Sequence, residues 1–369
     1  MGGFFKQWFG GGAQSSLPSR ARGPNTPGDD GARAPVGSAL EEGVALARAG
    51  QHERAATCFR HYLASCPASA VGHLNLGSTL QDQARLEAGA ANRRELIEAL
   101  AREAAREFEA ALSCDPGFGG IGRAMALIGL GRMHLVLGEF PVATRVLLTV
   151  LELPDVDRAT KDAAREALAR VHFRETIGEG SIPREDEERR AALFADASRL
   201  LEGRLTSKDG SPLPKPGVKE VASLGKAREA LGAALAIAPN DWPSHWMLGM
   251  VERRLGDERS ALDHFKRAWV VNPYNPNVGR EASISAGRLG RGEDAVRYAR
   301  SAVAADPDDP GLFSNLAVSL LLVRDGVEAL RLARLASGRV PGDRVSRDVL
   351  GLVEDVVRGR KPFPERIPQ

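Results

Sequence analysis

The sequence is poor in cysteine and carries no excess of charge, and each of these shortages excludes a class of protein. The three cysteines (Cys58, Cys66 and Cys114) are odd in number, widely spaced and without a Cys-x-x-Cys pair, which is typical of reduced thiols rather than of a disulfide framework. Lys and Arg total 50 against 48 Asp and Glu, so there is no net charge to attract nucleic acid. We therefore expect a cytoplasmic protein without a nucleic-acid partner.

Long apolar runs and strand-forming residues are also scarce. No run approaches the ~18 apolar residues of a membrane span. No long apolar core with a small-residue cleavage site stands at the N-terminus, so we do not expect a secretory signal. Alanine, leucine, glutamate and arginine dominate, and this composition favours helices.

Motifs that carry chemistry are few and weak. The GFGGIG stretch that starts at Gly117 follows a predicted helix instead of a strand, which argues against a dinucleotide site. Cys58, His61, Cys66 and His73 are close in sequence, but Cys58 falls in a helix that should be packed, so we predict no metal site. No HExxH, GxSxG or P-loop pattern occurs. We predict no cofactor and no catalytic residue, and we expect that the protein is not an enzyme.

What the sequence does contain is a period of 34 residues. Prolines recur at this spacing, and each is preceded by an alanine 12 residues earlier and another 5 residues earlier. A fixed period in this range is the signature of a helical solenoid. The prolines are Pro239, Pro273, Pro307 and Pro341, and the alanines are Ala227, Ala261, Ala295 and Ala329, then Ala234, Ala268, Ala302 and Ala336.

The pattern resembles the tetratricopeptide repeat (TPR), a unit of two helices joined by a tight turn. One unit matches closely, and its matching residues are Leu248–Gly249, Gly256, Ala261, Phe265, Ala268 and Pro273. In the two units that follow, Ala282–Ser283 replaces the Leu-Gly pair of the first and Arg324 stands at the turn of the second. The resemblance implies an all-α fold, a TPR-like α-solenoid in which antiparallel helix pairs form a right-handed superhelix. It also implies binding of a protein or peptide in a concave groove lined by the first helices.

Composition and repeat phase divide the chain into seven parts. They are a short aromatic amphipathic segment (1–13), a disordered linker (14–37), an N-terminal TPR block (38–155) with an insertion near 84–100 that we expect to lengthen helices, irregular helices and a proline-rich loop (156–217), a C-terminal TPR block (218–343), a capping helix (344–359) and an extended tail (360–369).

The N-terminal segment combines four large aromatic residues, Phe4, Phe5, Trp8 and Phe9, on one side of a helix if it is helical. Such residues are costly to leave in water, so we interpret the segment as a docking element or a shallow membrane attachment on a flexible tether. A third use is autoinhibition, in which residues 3–9 lie in the groove of the chain itself.

The groove of the C-terminal block has eight candidate lining residues: Trp246, Met250, Arg253, Arg280, Ile284, Arg288, Asn315 and Val318. Trp246 and Met250 form an apolar anchor. The three arginines could bind a carboxylate, either an acidic side chain or a free C-terminus. The alternative is that they are solvated or paired with neighbouring acids. His245, where the family often has a large aromatic residue, is expected to pack in the interior.

In the N-terminal block the groove lining is more neutral, with Asn75, Ser78 and Gln81, and with Arg132 further on. The expected function is therefore a non-enzymatic scaffold or adaptor that binds a peptide segment or a partner protein. The alternatives are a membrane-associated assembly or trafficking factor, at the inner face of a membrane through residues 1–13, and an accessory subunit of an enzyme complex. The sequence does not predict the oligomeric state.

Overall fold

The computed structural model of the chain describes residues 36–88, 93–114, 118–176, 183–205 and 213–367. Within these ranges the regular secondary structure consists of sixteen α-helices. They are α1 (Val36–Arg48), α2 (His52–Ser65), α3 (Ala70–Glu87), α4 (Arg94–Cys114), α5 (Gly120–Val136), α6 (Phe140–Glu152), α7 (Arg158–Thr176), α8 (Arg184–Leu201), α9 (Val218–Ile237), α10 (Trp242–Leu255), α11 (Glu258–Val271), α12 (Pro276–Arg288), α13 (Gly292–Ala305), α14 (Pro310–Leu322), α15 (Gly326–Arg339) and α16 (Arg344–Val357).

The helices stack as pairs, and within the N-terminal set and within the C-terminal set each pair packs against the next one. The pairs are α1/α2, α3/α4, α5/α6, α8/α9, α10/α11, α12/α13 and α14/α15. First helices also contact the first helices of neighbouring pairs, as in α3 with α5 and α12 with α14, so they form one layer, whose exposed side we call the inner face. The predicted all-α, TPR-like solenoid is confirmed by this arrangement.

Two helices from the irregular middle of the sequence take places in this stack. Helix α7 packs against α5 and α6, and so continues the N-terminal set of helices. Helix α8 packs against α9 and so begins the C-terminal set. Helices α3 and α4 are long, with 18 and 21 residues, on either side of residues 89–92, which lie outside the described ranges.

An Asx cap at the start of α10, α12, α14 and α16 fixes the frame of the C-terminal set. Asp241, Asn275, Asp309 and Asp343 recur every 34 residues, and the side chain of each accepts a hydrogen bond from a backbone N–H in the first turn of its helix. A proline follows in the first turn of α10, α12 and α14, where it has no N–H that the helix would need. The frame therefore has a start signal as well as the proline that ends each unit.

The turn inside a pair requires a left-handed backbone residue. Gly138, Gly256 and Gly290 fill this position with positive φ, but Arg324 holds it in the last pair at a φ of 61°. Glycine adopts this region without steric penalty, whereas a residue with a Cβ is strained there. The departure seen at Arg324 in the sequence therefore does not change the turn.

We expect Arg324→Gly to raise the thermal unfolding midpoint by a few degrees, equivalent to about 0.5–1 kcal/mol, because it removes this strain. The matched control is Gly256→Ala, which introduces a Cβ at a φ of 93° and should lower the midpoint by a similar amount. Thermal denaturation followed by circular dichroism at 222 nm measures both. An Arg324→Gly variant that is less stable than the wild type would contradict this view of the turn.

Helix α7 also joins the two sets of helices. Lys161 Nζ lies 2.7 Å from Asp308 Oδ2, and Arg165 Nε donates to the carbonyl of Ala305 at 2.8 Å. Arg165 Nη2 lies 3.4 Å from Asp306 Oδ1, within ion-pair distance but without the geometry of a hydrogen bond. These contacts connect α7 to the turn that follows α13, so the N-terminal set lies against the side of the C-terminal set.

Residues 1–13 and the linker lie outside the described ranges, so the predictions for Phe4, Phe5, Trp8 and Phe9 stay predictions. Among the described residues, no helix combines the length and the apolar character that crossing a bilayer requires.

Candidate functional site

The three arginines predicted for the C-terminal groove lie on α10 and α12 and are held by two glutamates. Arg253 Nη1 forms an ion pair with Glu281, while its Nη2 donates to the Glu281 carbonyl at 2.8 Å and to Ser285 Oγ at 2.9 Å. Its Nε lies 3.3 Å from Glu258 Oε1, and its guanidinium stacks on the Phe265 ring, 4.8 Å from the centroid. Arg253 is thus satisfied on every side.

The other two arginines share the same acids. Arg288 Nη1 donates to Glu258 Oε2 at 3.2 Å, and Arg280 Nε approaches Glu281 Oε1 at 3.3 Å. Arg280 is the most exposed of the three, with 38% of its side chain accessible. Each of the three arginines therefore contacts a neighbouring acid, the alternative left open by the sequence, and this pairing is most complete at Arg253.

Electrostatics explain why this cluster is stable inside the array. Burial acting on the Glu281 carboxyl would raise its pKa, but the charges of Arg253 and Arg280 outweigh burial and hold the pKa below its usual value. Glu281 is 6% exposed, so its negative charge depends on these partners. The cluster is a buried ion network that ties α10 to α12.

The remaining predicted residues of this groove are divided between the core and the inner face. Met250 is 8% exposed and belongs to a hydrophobic cluster, so it lies in the core instead of forming a groove anchor. Asn315 Nδ2 donates to Ser283 Oγ at 3.2 Å, which links α14 to α12. Trp246, Ile284 and Val318 are partly exposed and offer apolar contact surface on α10, α12 and α14.

Arg132 on α5 is a partly buried arginine for which no partner stands among the described residues. It is partly buried, and within the described ranges it forms no ion pair and no hydrogen bond. The neighbouring acids on the inner face are already taken, because Asp82 pairs with Arg85 at 3.4 Å and Glu166 with Arg170 at 2.5 Å. Burial lowers the pKa of Arg132, and the positive charge of Arg170 lowers it further. The carboxylates of Glu166 and Asp82 act in the opposite direction, but neither forms an ion pair with Arg132, so its guanidinium lacks a direct partner between α3 and α7.

The other predicted residues of the N-terminal groove are on α3. Asn75 is buried, and its Nδ2 donates to the Val71 carbonyl one turn earlier at 2.9 Å, so it serves its own helix. Ser78 is partly exposed. Gln81 has a buried Oε1 without a hydrogen-bond donor among the described residues. The predicted lining of α3 and α5 thus includes a cation without a partner and a buried amide oxygen without a donor among the described residues.

Sequence reasoning missed a pair of facing histidines. His245 Nε2 lies 2.9 Å from the Pro239 carbonyl, which can only accept, so this nitrogen carries the proton. Nδ1 of neutral His245 is then an acceptor, 3.1 Å from Nδ1 of His264. The packing predicted for His245 is consistent with its 3% exposure. The signal in the sequence that could have indicated the pair is His264, which lies on α11, the helix that follows the one carrying His245.

The histidine pair should make the fold sensitive to mild acid. Burial, then the charges of His245 and Arg267, lower the pKa of His264 to about 4 from 6.5. The unfolded state takes up a proton on this histidine at a higher pH than the folded state does. The folded protein is therefore most stable above pH ~6.5 and loses stability as the pH falls toward 4. We expect His264→Gln to remove on the order of 1–2 kcal/mol of the stability difference between pH 7.5 and pH 5.

Urea unfolding at the two pH values measures this difference, with exposed His61 changed to Gln as the control. An unchanged pH dependence in His264→Gln would show that the pair does not titrate with folding.

Cys58, Cys66 and Cys114 are free thiols. Among the described residues no group of three or more His, Cys, Asp or Glu side chains is arranged to hold a metal ion.

The chain is similar to solved repeat structures at low identity. YrrB, described as a TPR protein with an unusual peptide-binding site, shares 15% identity over 66% of this chain and 97% of its own, with a TM-score of 0.32. A thermophilic TPR protein from Thermus thermophilus shares 19% over 69% of this chain and 100% of its own, with a TM-score of 0.27. An O-GlcNAc transferase from Thermobaculum terrenum shares 19% over 43% of this chain and 27% of its own, with a TM-score of 0.33.

No family model matches the chain, and no curated protein matches it. The assignment of the fold therefore rests on the helix pairs and the 34-residue frame of the chain itself.

Proposed function

We propose that this TPR-like array is a non-enzymatic scaffold that binds an acidic peptide segment of a partner protein on its N-terminal inner face, with Arg132 as the contact for a carboxylate. The observation that carries the proposal is the unpaired, partly buried state of Arg132 among described residues. A partly buried charge is poorly solvated, and a carboxylate that arrives with a ligand gives it a partner. The guanidinium of Arg132 can donate two parallel hydrogen bonds to this carboxylate.

The surroundings of Arg132 favour an extended peptide over a free anion. On the neighbouring inner helix, Gln81 has a buried Oε1 without a donor among the described residues, and a bound segment toward which the amide turned would satisfy it with a backbone N–H. Val71, exposed to 48%, gives apolar surface on the same helix, α3. Rigid stacked helices hold these groups in place before binding, which lowers the ordering cost of the complex.

The three arginines of the C-terminal groove do not share this support, because Arg253, Arg280 and Arg288 already contact Glu258 or Glu281. A ligand carboxylate at Arg253 would have to displace Glu281. Arg132 requires no such exchange.

Selection of a displayed library of twelve-residue peptides against the full-length protein tests the proposal. We expect the enriched peptides to contain Asp or Glu, and we expect Arg132→Met to weaken their binding at least tenfold in fluorescence anisotropy. Arg123→Met is the matched control, because Arg123 is an exposed arginine on the same helix. Enriched peptides that lack acids, or that bind Arg132→Met as tightly as the wild type, would refute the role of Arg132.

A further inference from the structure

The last ten described residues do not extend away from the array. After α16 the chain turns at Gly359, which has a φ of 72°. The backbone N–H groups of Arg360 and Lys361 both donate to the Asp355 carbonyl, at 2.8 and 3.1 Å, and the two side chains pair with the Asp355 carboxylate. The tail therefore runs back over the C-terminal pairs, against the order of the helices.

Along this path the tail crosses the turns of two pairs. Phe363 packs into the hydrophobic cluster of the last pairs and lies beside Gly326, at the start of α15. The carbonyl of Glu365 passes next to Gly290, in the turn between α12 and α13. The N–H of Ile367 then donates to the Gly287 carbonyl at 3.0 Å. Residues 363–367 form what we call the tail strap.

The end of the strap fills a notch on the inner face. Gly287 is one 34-residue period after Arg253 and one before Leu321, so it occupies an inner-face position where the neighbouring units have long side chains. A Cβ placed on Gly287 would lie 2.4 Å from Ile367 Cδ1 and 3.2 Å from Leu322 Cδ1. The missing side chain of α12 is thus replaced by the side chain of Ile367.

The glycine at this position is not required by the helix. Glycine in a helix interior is less favourable than alanine, and Gly287 has no positive φ that would call for it. The missing side chain of Gly287 leaves a space, and Ile367 occupies it. The notch therefore has the character of a binding pocket for a branched aliphatic side chain.

The strap is attached at few points. Phe363 and Ile367 are its partly buried anchors, whereas Glu365 and Arg366 between them are exposed. One backbone hydrogen bond, from Ile367 to Gly287, holds its end to the array. Pro362 and Pro364 restrict the backbone of the strap, which lowers the cost of ordering an extended segment. A segment held in this way resembles a bound peptide more than an integral part of the core.

We propose that the Gly287 notch and the surface leading to it form a second peptide-binding site, which the chain's own tail strap occupies. A partner segment of the same chemistry, extended, with an aromatic residue four positions before a branched aliphatic one, would displace the strap. The tethered strap competes at an effective concentration on the order of millimolar, so a free peptide binds the wild type weakly. The site is separate from Arg132 and does not depend on the function proposed for it.

The test uses the full-length protein and a labelled peptide with the sequence RKPFPERIPQ of residues 360–369. The variant Ile367→Asp should empty the notch, and we expect it to bind the peptide at least tenfold more tightly than the wild type does. Arg366→Asp, which changes the exposed neighbour, should behave as the wild type. Binding to Ile367→Asp that is absent, or no stronger than binding to the wild type, would overturn the proposal and make the strap a fixed part of the fold.

A second variant tests the same site without relying on an aspartate in the tail. Gly287→Ala fills the notch with a residue that a helix prefers, so the fold should be retained. We expect trypsin to cleave after Arg366 at least tenfold faster in Gly287→Ala than in the wild type, because Ile367 is displaced. An equal cleavage rate, measured by mass spectrometry as loss of the last three residues, would show that Ile367 does not depend on the notch.

Discussion

Replacing Phe108 with alanine should lower the free energy of unfolding by about 3–5 kcal/mol, the typical cost of a large cavity in a core. The Phe108 side chain on α4 is 1% exposed and fills the space left by glycines on α3 and α5. A Cβ on Gly129 would lie 2.3 Å from Phe108 Cζ, and one on Gly77 would lie 3.0 Å from Cδ1. One ring thus joins three helices, and stability in repeat arrays depends on such contacts between neighbours.

The same contact can be tested from the glycine side. Gly129→Ala should destabilise by about 1–3 kcal/mol, because the added methyl group overlaps the buried ring. Gly232→Ala is the matched control: it lies in α9 with no atom within 4 Å of the added Cβ and should stabilise by up to about 1 kcal/mol. Urea unfolding followed by circular dichroism measures all three variants. Equal effects of the two glycine substitutions would contradict the close packing at Phe108.

Replacing Arg253 with methionine should cost a similar amount, about 3–5 kcal/mol, because it leaves a buried carboxylate without its main partner. Glu281 is 6% exposed, and Arg253 contacts both its side chain and its carbonyl. Arg280→Met is the control, since Arg280 touches the same glutamate from a more exposed position than Arg253 and should cost below about 1 kcal/mol. Thermal and urea unfolding at pH 7 compare the variants.

The pH dependence of the stability of Arg253→Met tests whether the loss comes from the buried charge of Glu281. In the wild type the pKa of Glu281 is held low, so its stabilisation is present above the unfolded pKa and is lost as the pH falls. Without Arg253, burial raises the pKa of Glu281, and the penalty is relieved when the carboxyl takes up a proton. The stability gap between wild type and variant should therefore narrow as the pH falls from 7 to 5. Adding Glu281→Gln to the variant should recover part of the loss at pH 7, and a double variant as unstable as the single one would contradict the buried-charge explanation.

The repeat frame could be predicted from the sequence because its signals are local. The proline that closes each unit and the glycine of the turn, such as Gly256, act through the backbone of the residue that carries them. The Asx caps, from Asp241 to Asp343, were equally readable at the same spacing. Even at Arg324, where the residue departs from the pattern, the turn persists, because its neighbours in the array determine the backbone.

The candidate site was only partly predictable, because charge pairing depends on contacts between helices. The position of Arg253 on a first helix follows from the frame, but the glutamate that neutralises it comes from α12. The free state of Arg132 likewise results from two pairs formed by other residues, Asp82 with Arg85 and Glu166 with Arg170. The contact of Ile367 with Gly287 could not be predicted, because Ile367 lies outside the repeats, although the period does place Gly287 between Arg253 and Leu321.

The contact between a ligand carboxylate and Arg132 is most directly measured by a double-mutant cycle. A selected acidic peptide and its Glu→Gln or Asp→Asn counterpart would each be titrated against the wild type and Arg132→Met by calorimetry. The coupling energy between the two changes should be about 1.5–3 kcal/mol, the range for a hydrogen bond to a charged group. A coupling energy indistinguishable from zero, with both single changes weakening binding, would place the carboxylate elsewhere on the array.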